Sequence, residues 1–399
     1  LLSVCAGILT GKVGPMENLT AEAPPANRLP LFALLAANAT SQVGNMMTTV
    51  AIPWFILQTT GSPLQVGISS FVATIPLFIA AFISGGLVDR FSPKRMSIIS
   101  DILSGITVAA IPLLFGMNAL TYPMLLALVF VGAILDTPGN TARQSLLPDL
   151  IKRAQIKPER ANAAYDAIYR FSILFGPLLG GLLTARFSAP DVLWIDAITF
   201  VVSALLITAY APRVLPKPSN NTQERAIANL TAGFQFLRGD SVLMGLLIIL
   251  SWVDLIANAL LVTVVPVYAQ RVFGSAADFG GMLSAFGGGM LIGTILYGMY
   301  GHRLPRYRTL ILGLLGASLP SLLLITLPSL PVTLLVLAVM GISLAPVSTL
   351  SINVFQERTP AHLRGRVFGT RMALQTAGIP VGMLITGALL EGLGLVPSL

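Results

Sequence analysis

Asp254 stands twelve residues into an apolar stretch running from 242 to 270, which places it about 18 Å along a helix axis and close to the middle of a bilayer. A charge at that depth costs about 2.5 to 3.5 kcal/mol, and either a bound proton or a cationic partner removes the cost. The chemistry open to Asp254 is therefore proton exchange or contact with a cationic substrate. Ser251 and Asn258 flank it at steps of three and four, on the same helical face. Asn38, Ser41, Asn45 and Thr48 repeat that spacing in the first apolar stretch. Asp166 and Arg170 are four residues apart with the acid first, the favoured order for a local pair, so mutual neutralisation competes with substrate contact there. Asp101, Asp136 and Asp196 fall nearer the ends of their stretches, within reach of headgroups or loops, and rank lower as site residues. Two His and one Cys make no metal constellation. No His or second acid falls in register with Asp254, which argues against an enzyme and calls for no cofactor.

The elements that position these residues are membrane spans. Charged residues are 10% of the 399 and hydrophobic ones 55%, against about a quarter and just under half in soluble domains. Apolar runs recur at 29–59, 64–88, 96–117, 122–142, 161–185, 190–212, 242–270, 276–300, 309–328, 331–356 and 366–392, which predicts eleven spans and an all-α membrane protein. Internal prolines such as Pro53, Pro177 and Pro266 are tolerated in such helices because neighbours satisfy the freed backbone groups. With the amino terminus inside, 21 of the 24 Lys and Arg fall on the inner side, Arg170 lies within a span, and Arg186 and Arg271 fall outside. That asymmetry accounts for the net charge of +8 through topology and anionic lipid rather than nucleic acid. Isolated charges in place of a ring of like charges argue against a channel.

A shift of 213 residues brings the two halves of the chain into register: Pro53 on Pro266, Gly61 on Gly274, Ser62 on Ser275 and Gly67 on Gly280. The same shift sets Asn38 on Ser251, Ser41 on Asp254 and Asn45 on Asn258. Matched polar faces on the first helix of each half point to a shared water-filled cavity between the halves. The expected organisation is an inner segment at 1–28, an amino-terminal six-helix bundle at 29–212, a linker at 213–241, and a second bundle at 242–399 with five of its six helices. A twelfth span is then expected outside this sequence. Residues 1–15 precede a plausible start at Met16 and read as a start-site artefact. In the linker, Ile227, Leu230, Phe234 and Leu237 recur at helical spacing, which predicts an amphipathic helix on the membrane face.

Between the second and third spans, GGLVDRFSPKR (85–95) resembles the loop signature of the major facilitator superfamily, with Ser92 where Gly is usual and Pro93 where Arg is usual. FGPLLGG (175–181) resembles that family's antiporter motif, carried here by Gly176, Pro177, Gly180 and Gly181. TARQSLLPDLI (141–151), ANAAYDAIYRFSILFGPLLGG (161–181) and LWIDAITFVVSALLI (193–207) are similar to a drug:proton antiporter branch that includes macrolide and enterobactin exporters. The resemblance implies two pseudo-symmetric six-helix bundles and export of amphipathic small molecules by alternating access. It also implies proton antiport, a bacterial inner membrane with the amino terminus cytoplasmic, and a monomer whose partners are substrate, protons and lipid. A siderophore exporter or a lipid translocator of the same fold remain alternatives. For Asp89, Arg90 and Lys94, the resemblance implies a conformational latch against the start of the eleventh span, near Arg366 and Arg371. An Arg that many proton-coupled exporters carry in the fourth span is absent from 122–142, which holds only Asp136.

Overall fold

The computed structural model describes residues 27–76, 92–212, 222–360 and 362–398. Asp89, Arg90, the leading segment to residue 26 and the first part of the linker lie outside these residues. Among them there is no strand. Proline starts most of the helices. It occupies a first-turn position of α1 (Leu29–Thr60), α3 (Pro93–Gly116), α4 (Tyr122–Ala154), α5 (Pro158–Arg186) and α6 (Ala189–Tyr210), where its missing N–H has no partner to lose. Between α1 and α3 lies α2, described over 63–76. The remaining helices are α7 (Thr222–Gly239), α8 (Ser241–Phe273), α9 (Ala276–Tyr300), α10 (Arg306–Thr326), α11 (Leu330–Arg358) and α12 (Arg364–Gly392).

Nine of the described helices are long and apolar enough to cross a bilayer. They are α3 to α6 and α8 to α12. In α1 the polar face that begins at Asn38 dilutes the hydropathy. The helical bounds follow the expected spans closely except in α4, which runs on to Ala154, twelve residues past the expected end at 142.

The 213-residue repeat is visible in the backbone. Gly61 closes α1 at φ +68° and Gly274 closes α8 at φ +71°, the left-handed conformation that only glycine takes without strain. The two first helices differ in between. α1 stays α-helical through Pro53, whereas α8 widens into π-turns at Leu260–Val264 and Ala269–Phe273 on either side of Pro266. α12 is interrupted at Gly378, just before Pro380, and Leu255 fills the gap: a Cβ on Gly382 would lie 2.8 Å from its Cγ.

Packing divides the molecule along the membrane normal. At the ends away from α7, one apolar cluster joins both halves, with Met47, Trp54, Phe55 and Leu193 meeting Val267, Tyr268, Phe279 and Leu390. On the α7 side each half keeps its own cluster. Leu31, Leu146, Leu150 and Ile207 pack in the first half, and Leu237, Leu243, Phe355 and Val367 in the second. The halves therefore touch on the far side and have separate cores on the linker side. Two glycine pairs make the closest approach. A Cβ on Gly67 would sit 3.1 Å from Gly387 Cα, and one on Gly280 would sit 2.9 Å from Gly181 Cα. Gly67 and Gly280 are partners under the sequence repeat, so the same ancestral position makes the cross-half contact twice. Glu391 adds a tie on this side, accepting hydrogen bonds from Ser62 Oγ (3.0 Å) and the Leu64 amide (3.4 Å) at the start of α2.

The linker helix α7 lies along α12. Thr370 Oγ1 donates to Leu230 O at 3.1 Å, and Gly233 sits where a Cβ would lie 2.6 Å from Arg366 O. Of its expected apolar face, Leu237 is fully buried and Phe234 is 42% exposed.

Candidate functional site

The polar face of α1 is a ladder, and each rung meets a different side chain from a neighbouring helix. Beginning on the linker side, Asn38 Oδ1 accepts from Tyr165 OH of α5 at 3.1 Å. Ser41 Oγ accepts from Arg143 of α4 at 3.4 Å. Asn45 Nδ2 donates to Asp136 of α4 at 3.2 Å, and Thr48 Oγ1 donates to Asp196 of α6 at 2.5 Å. Asn38 and Ser41 are fully buried. That differs from the expectation of a cavity-lining face for these two: they are buried within the first half, where Asn38 Oδ1 and Ser41 Oγ accept from side chains of neighbouring helices.

Arg143 is the centre of this network. It is 0% exposed, its NH1 lies 2.6 Å from Asp101 Oδ1 of α3, and its NH2 donates to Asn140 at 2.8 Å and lies 4.0 Å from Asp136 Oδ1. Asp101 also accepts from Ser203 of α6 at 2.7 Å. Asp136 is held at Oδ2 by Asn45 and by Asn140 at 2.9 Å, while its Oδ1 has no hydrogen-bond partner among the described residues. A cation buried this deeply stays only where carboxylates and oriented hydroxyls replace water.

Three readings of the sequence change here. The fourth helix does carry an embedded arginine; ending the span at residue 142 hid it by a single position. Asp101, Asp136 and Asp196 do not reach headgroups, because they face inward between helices. Two of the 21 cations assigned to the inner side, Arg143 and Arg371, are buried within the bundles. Asp136, Asn140 and Arg143 have the step of four then three used elsewhere as a polar-face signal, and that spacing would have disclosed the arginine.

In the second half, Asp254 Oδ2 accepts from Gln375 Nε2 of α12 at 2.6 Å, and Gln375 Oε1 accepts from Arg371 Nε at 3.2 Å. The glutamine thus separates an acid from a cation that could otherwise pair. Arg371 lies 4.5 Å from the Phe355 ring centroid and 6.0 Å from that of Phe368, a cation–π arrangement suited to a partly desolvated guanidinium. These groups line a cavity of about 250 Å³ whose walls include Asn258, Phe286, Met290 and Ser348. Asn258 Nδ2 turns back to Asp254 O at 2.8 Å and Ser251 Oγ to Leu247 O at 2.8 Å. Only Asp254 and Asn258 of the expected triplet line this cavity; Ser251 borders an apolar groove with Trp252 and Phe234.

The other expected residues are placed as follows. Asp166 and Arg170 pair at 3.4 Å with both side chains about half exposed or more, which is self-neutralisation. Lys94 Nζ donates to Thr208 O (2.8 Å) and Ala211 O (2.5 Å), capping the carboxyl end of α6 in its own half. Arg366 is exposed on the linker side, and Arg371 belongs to the Asp254 cavity. Gly176, Pro177, Gly180 and Gly181 are buried, with Gly176 and Gly180 against Met46 and Met47 of α1 and Gly181 against α9. Ser92, where the family pattern has Gly, starts α3 at φ 67°, ψ 144°. Among the described residues no cluster of His, Cys, Asp and Glu could hold a metal.

Residues 34–383 match the Major Facilitator Superfamily. The chain belongs to that family. Among curated relatives, this facilitator is 32% identical to multidrug efflux pump Tap of Mycolicibacterium fortuitum over 92% of its own length and 91% of the relative's. It is 30% identical to enterobactin exporter EntS of Escherichia coli O6:K15:H31 over 91% and 84%. Its fold matches the crystal structure of a bacterial homolog of the lysosomal transporter Spinster in an inward-facing, unoccupied conformation. That match has a TM-score of 0.69 at 18% identity, covering 92% of this chain and 83% of that one. The facilitator is thus a multi-pass membrane transporter of the efflux type.

Proposed function

We propose that this facilitator exports amphipathic small molecules, drugs among them, from the cytoplasm of a bacterium in exchange for protons. The bias of Lys and Arg toward the α7 side makes that side cytoplasmic. Among the described residues the apolar cluster shared by the two halves lies on the far side, which supports an inward-open carrier able to load substrate from within the cell. Drug export draws on the relationship to Tap, which spans nine-tenths of both chains. The two bundles, 29–212 and 242–399, rock about the glycine contacts, the linker at 213–241 joins them, and the transporter works as a monomer. A latch by Asp89 and Arg90 would hold the opposite, outward-open state. The observation that carries the coupling is the Asp136–Arg143–Asp101 group. One carboxylate oxygen of Asp136 has no hydrogen-bond partner among the described residues and only a 4.0 Å ion contact with Arg143, so Asp136 can take a proton as Arg143 remains paired with Asp101. Asp254, in the second half, adds an acid at the wall of a cavity large enough for part of a ligand. A proton there weakens its acceptance from Gln375 and frees that amide and Arg371 for substrate.

Drug accumulation in cells with and without the protein, each with and without a protonophore, tests the reading. Export that collapses with the protonophore and is lost in Asp254→Asn and Asp136→Asn, with expression unchanged, is the expected outcome. Export indifferent to the protonophore overturns antiport, and unchanged resistance in Asp254→Asn removes that residue from the cycle. A second reading, siderophore export, draws on the relationship to EntS and on Arg371, a cation lining the same cavity as Asp254.

A further inference from the structure

Asp196 is the far rung of the α1 ladder, and none of the roles above uses it. It is 0% exposed, yet no Lys, Arg or His among the described residues pairs with it. Its partners are two hydroxyls: Thr48 Oγ1 at 2.5 Å on Oδ2 and Thr199 Oγ1 at 3.1 Å on Oδ1. Thr199 already spends its proton on Asp196 O, 2.7 Å away, so it can accept from Oδ1. Hydroxyls both donate and accept, whereas Arg and amide N–H groups only donate. The pocket therefore satisfies the protonated acid and the carboxylate alike without moving a heavy atom. Gly44 lets the carboxyl close against α1, because a Cβ there would overlap Asp196 Oδ1 and Thr199 Oγ1.

Charge counting points the same way. The interhelical network of the first half holds three acids, buried Asp101 and Asp196 and partly buried Asp136, and one base, Arg143. The elements packed on α6 present to it Asp101 from α3 and, through α1, Asp136 and Arg143 from α4; α1 itself contributes no charge, and α5 contributes Tyr165 at the opposite end of the ladder. Asp191, the other acid of α6, lies in that helix's first turn at its far-side start, where its amide donates to the Ser188 cap and its carboxylate accepts from the Ser188 hydroxyl. With Asp101 paired to Arg143, two acids remain, and each can be relieved of charge by one proton.

The acids are also staggered across the membrane. Asp101 lies eight residues from the linker-side start of α3, about 12 Å, and Asp136 lies fourteen residues from the far-side start of α4, about 21 Å. Asp196 lies seven residues from the far-side start of α6, about 10 Å. Of these three acids it lies nearest the far side, one helical turn beyond Asp136 on the α1 scale.

We infer that Asp196 is a second proton-binding site of this transporter, the one loaded from the far side when the halves open there, and that it hands its proton inward toward Asp136. Loading forms an O–H bond on the carboxylate; transfer breaks it and restores the carboxylate to its two hydroxyl partners. The inference rests on the proton-antiport reading, so its test separates the two. Purified protein in lipid vesicles is titrated with infrared detection of the C=O stretch of protonated carboxylic acids. The wild type is expected to show such a band, Asp196→Asn to lose it, and Thr48→Val, which removes one hydrogen bond and no acid, to shift it to higher frequency. In cells, Asp196→Asn is expected to abolish export against a gradient, as for a missing relay acid, while downhill exchange persists. An unchanged protonated-acid band in Asp196→Asn, or uphill export equal to wild type, overturns the inference. If Asp196→Asn does not fold, the Thr48→Val band decides: no shift overturns the inference. Protonophore-insensitive export by the wild type instead sinks the antiport reading and leaves the infrared result to stand as a stored proton.

Discussion

Gly67→Ala tests the far-side closure directly. An added Cβ would lie 2.7 Å from Met383 O, about 0.7 Å short of the 3.4 Å at which ordinary contact begins, and 3.1 Å from Gly387 Cα. Both obstacles are backbone, so no side-chain rotation relieves them; helices α2 and α12 must separate. Overpacking of this kind costs about 1 to 3 kcal/mol. The state in which the halves part on this side escapes that cost, so the equilibrium should move toward it by about 5- to 150-fold. Spin labels at Met117 and Leu393, exposed at the far ends of α3 and α12 in different halves, report the change after Cys5→Ser removes the native thiol. A longer distance population should grow in Gly67→Ala and in its repeat partner Gly280→Ala, whose Cβ would meet Pro177 O and Gly181. Gly116→Ala is the control, since a Cβ there meets nothing within 4 Å. If both variants give the wild-type distance distribution while folding normally, the glycine contacts do not hold the halves together.

Arg143→Gln should destabilise the protein by about 3 to 5 kcal/mol by stranding Asp101 in the bundle. Adding Asp101→Asn should recover most of that in thermal unfolding, and a double variant no more stable than the single one would mean that the pair is not the unit. Ser92→Gly should raise stability by about 1 kcal/mol. It relieves a φ of 67° at ψ 144°, a region costing other residues about 1 to 3 kcal/mol, against the entropy glycine adds to the unfolded chain. Thermal unfolding in detergent reads this too, and a drop in the midpoint would count against the strained geometry at α3's start.

The sequence disclosed those parts of the molecule that follow from periodicity and repetition. Gly61 and Gly274 were paired by register alone, and both turn out to close a helix in the left-handed region. The family pattern that has Gly at position 92 corresponds to a positive φ in this chain even though Ser stands there. Asp254 was marked by depth, because the cost of charge in a bilayer makes an embedded acid conspicuous. What stayed hidden was the partner of each polar group. The step from Ser41 to Arg143, or from Thr48 to Asp196, crosses a hundred residues, and nothing local announces it. Arg143 is hidden for a different reason. The apolar run stops at 142, whereas a helix packed against three others can afford a buried Arg143 one residue beyond that point.

The two halves descend from one repeat, yet they have diverged in how they treat charge. In the first half Asp196 is closed off by α1 and two hydroxyls, and the arginine is locked to Asp101 with no exposed surface. In the second half Asp254 and Arg371 face a cavity and are kept apart by Gln375, a residue whose amide can turn over. An amide between an acid and a base responds to whichever of them changes charge, while a direct ion pair resists change. On the antiport reading proposed above, the first half holds protons away from the Asp254 cavity, and the second lets a protonation event alter the groups that line it. Coupling between them must run through the contact surface, and the glycine pairs at 67 with 387 and 181 with 280 are where backbone meets backbone with no side chain to absorb a shift.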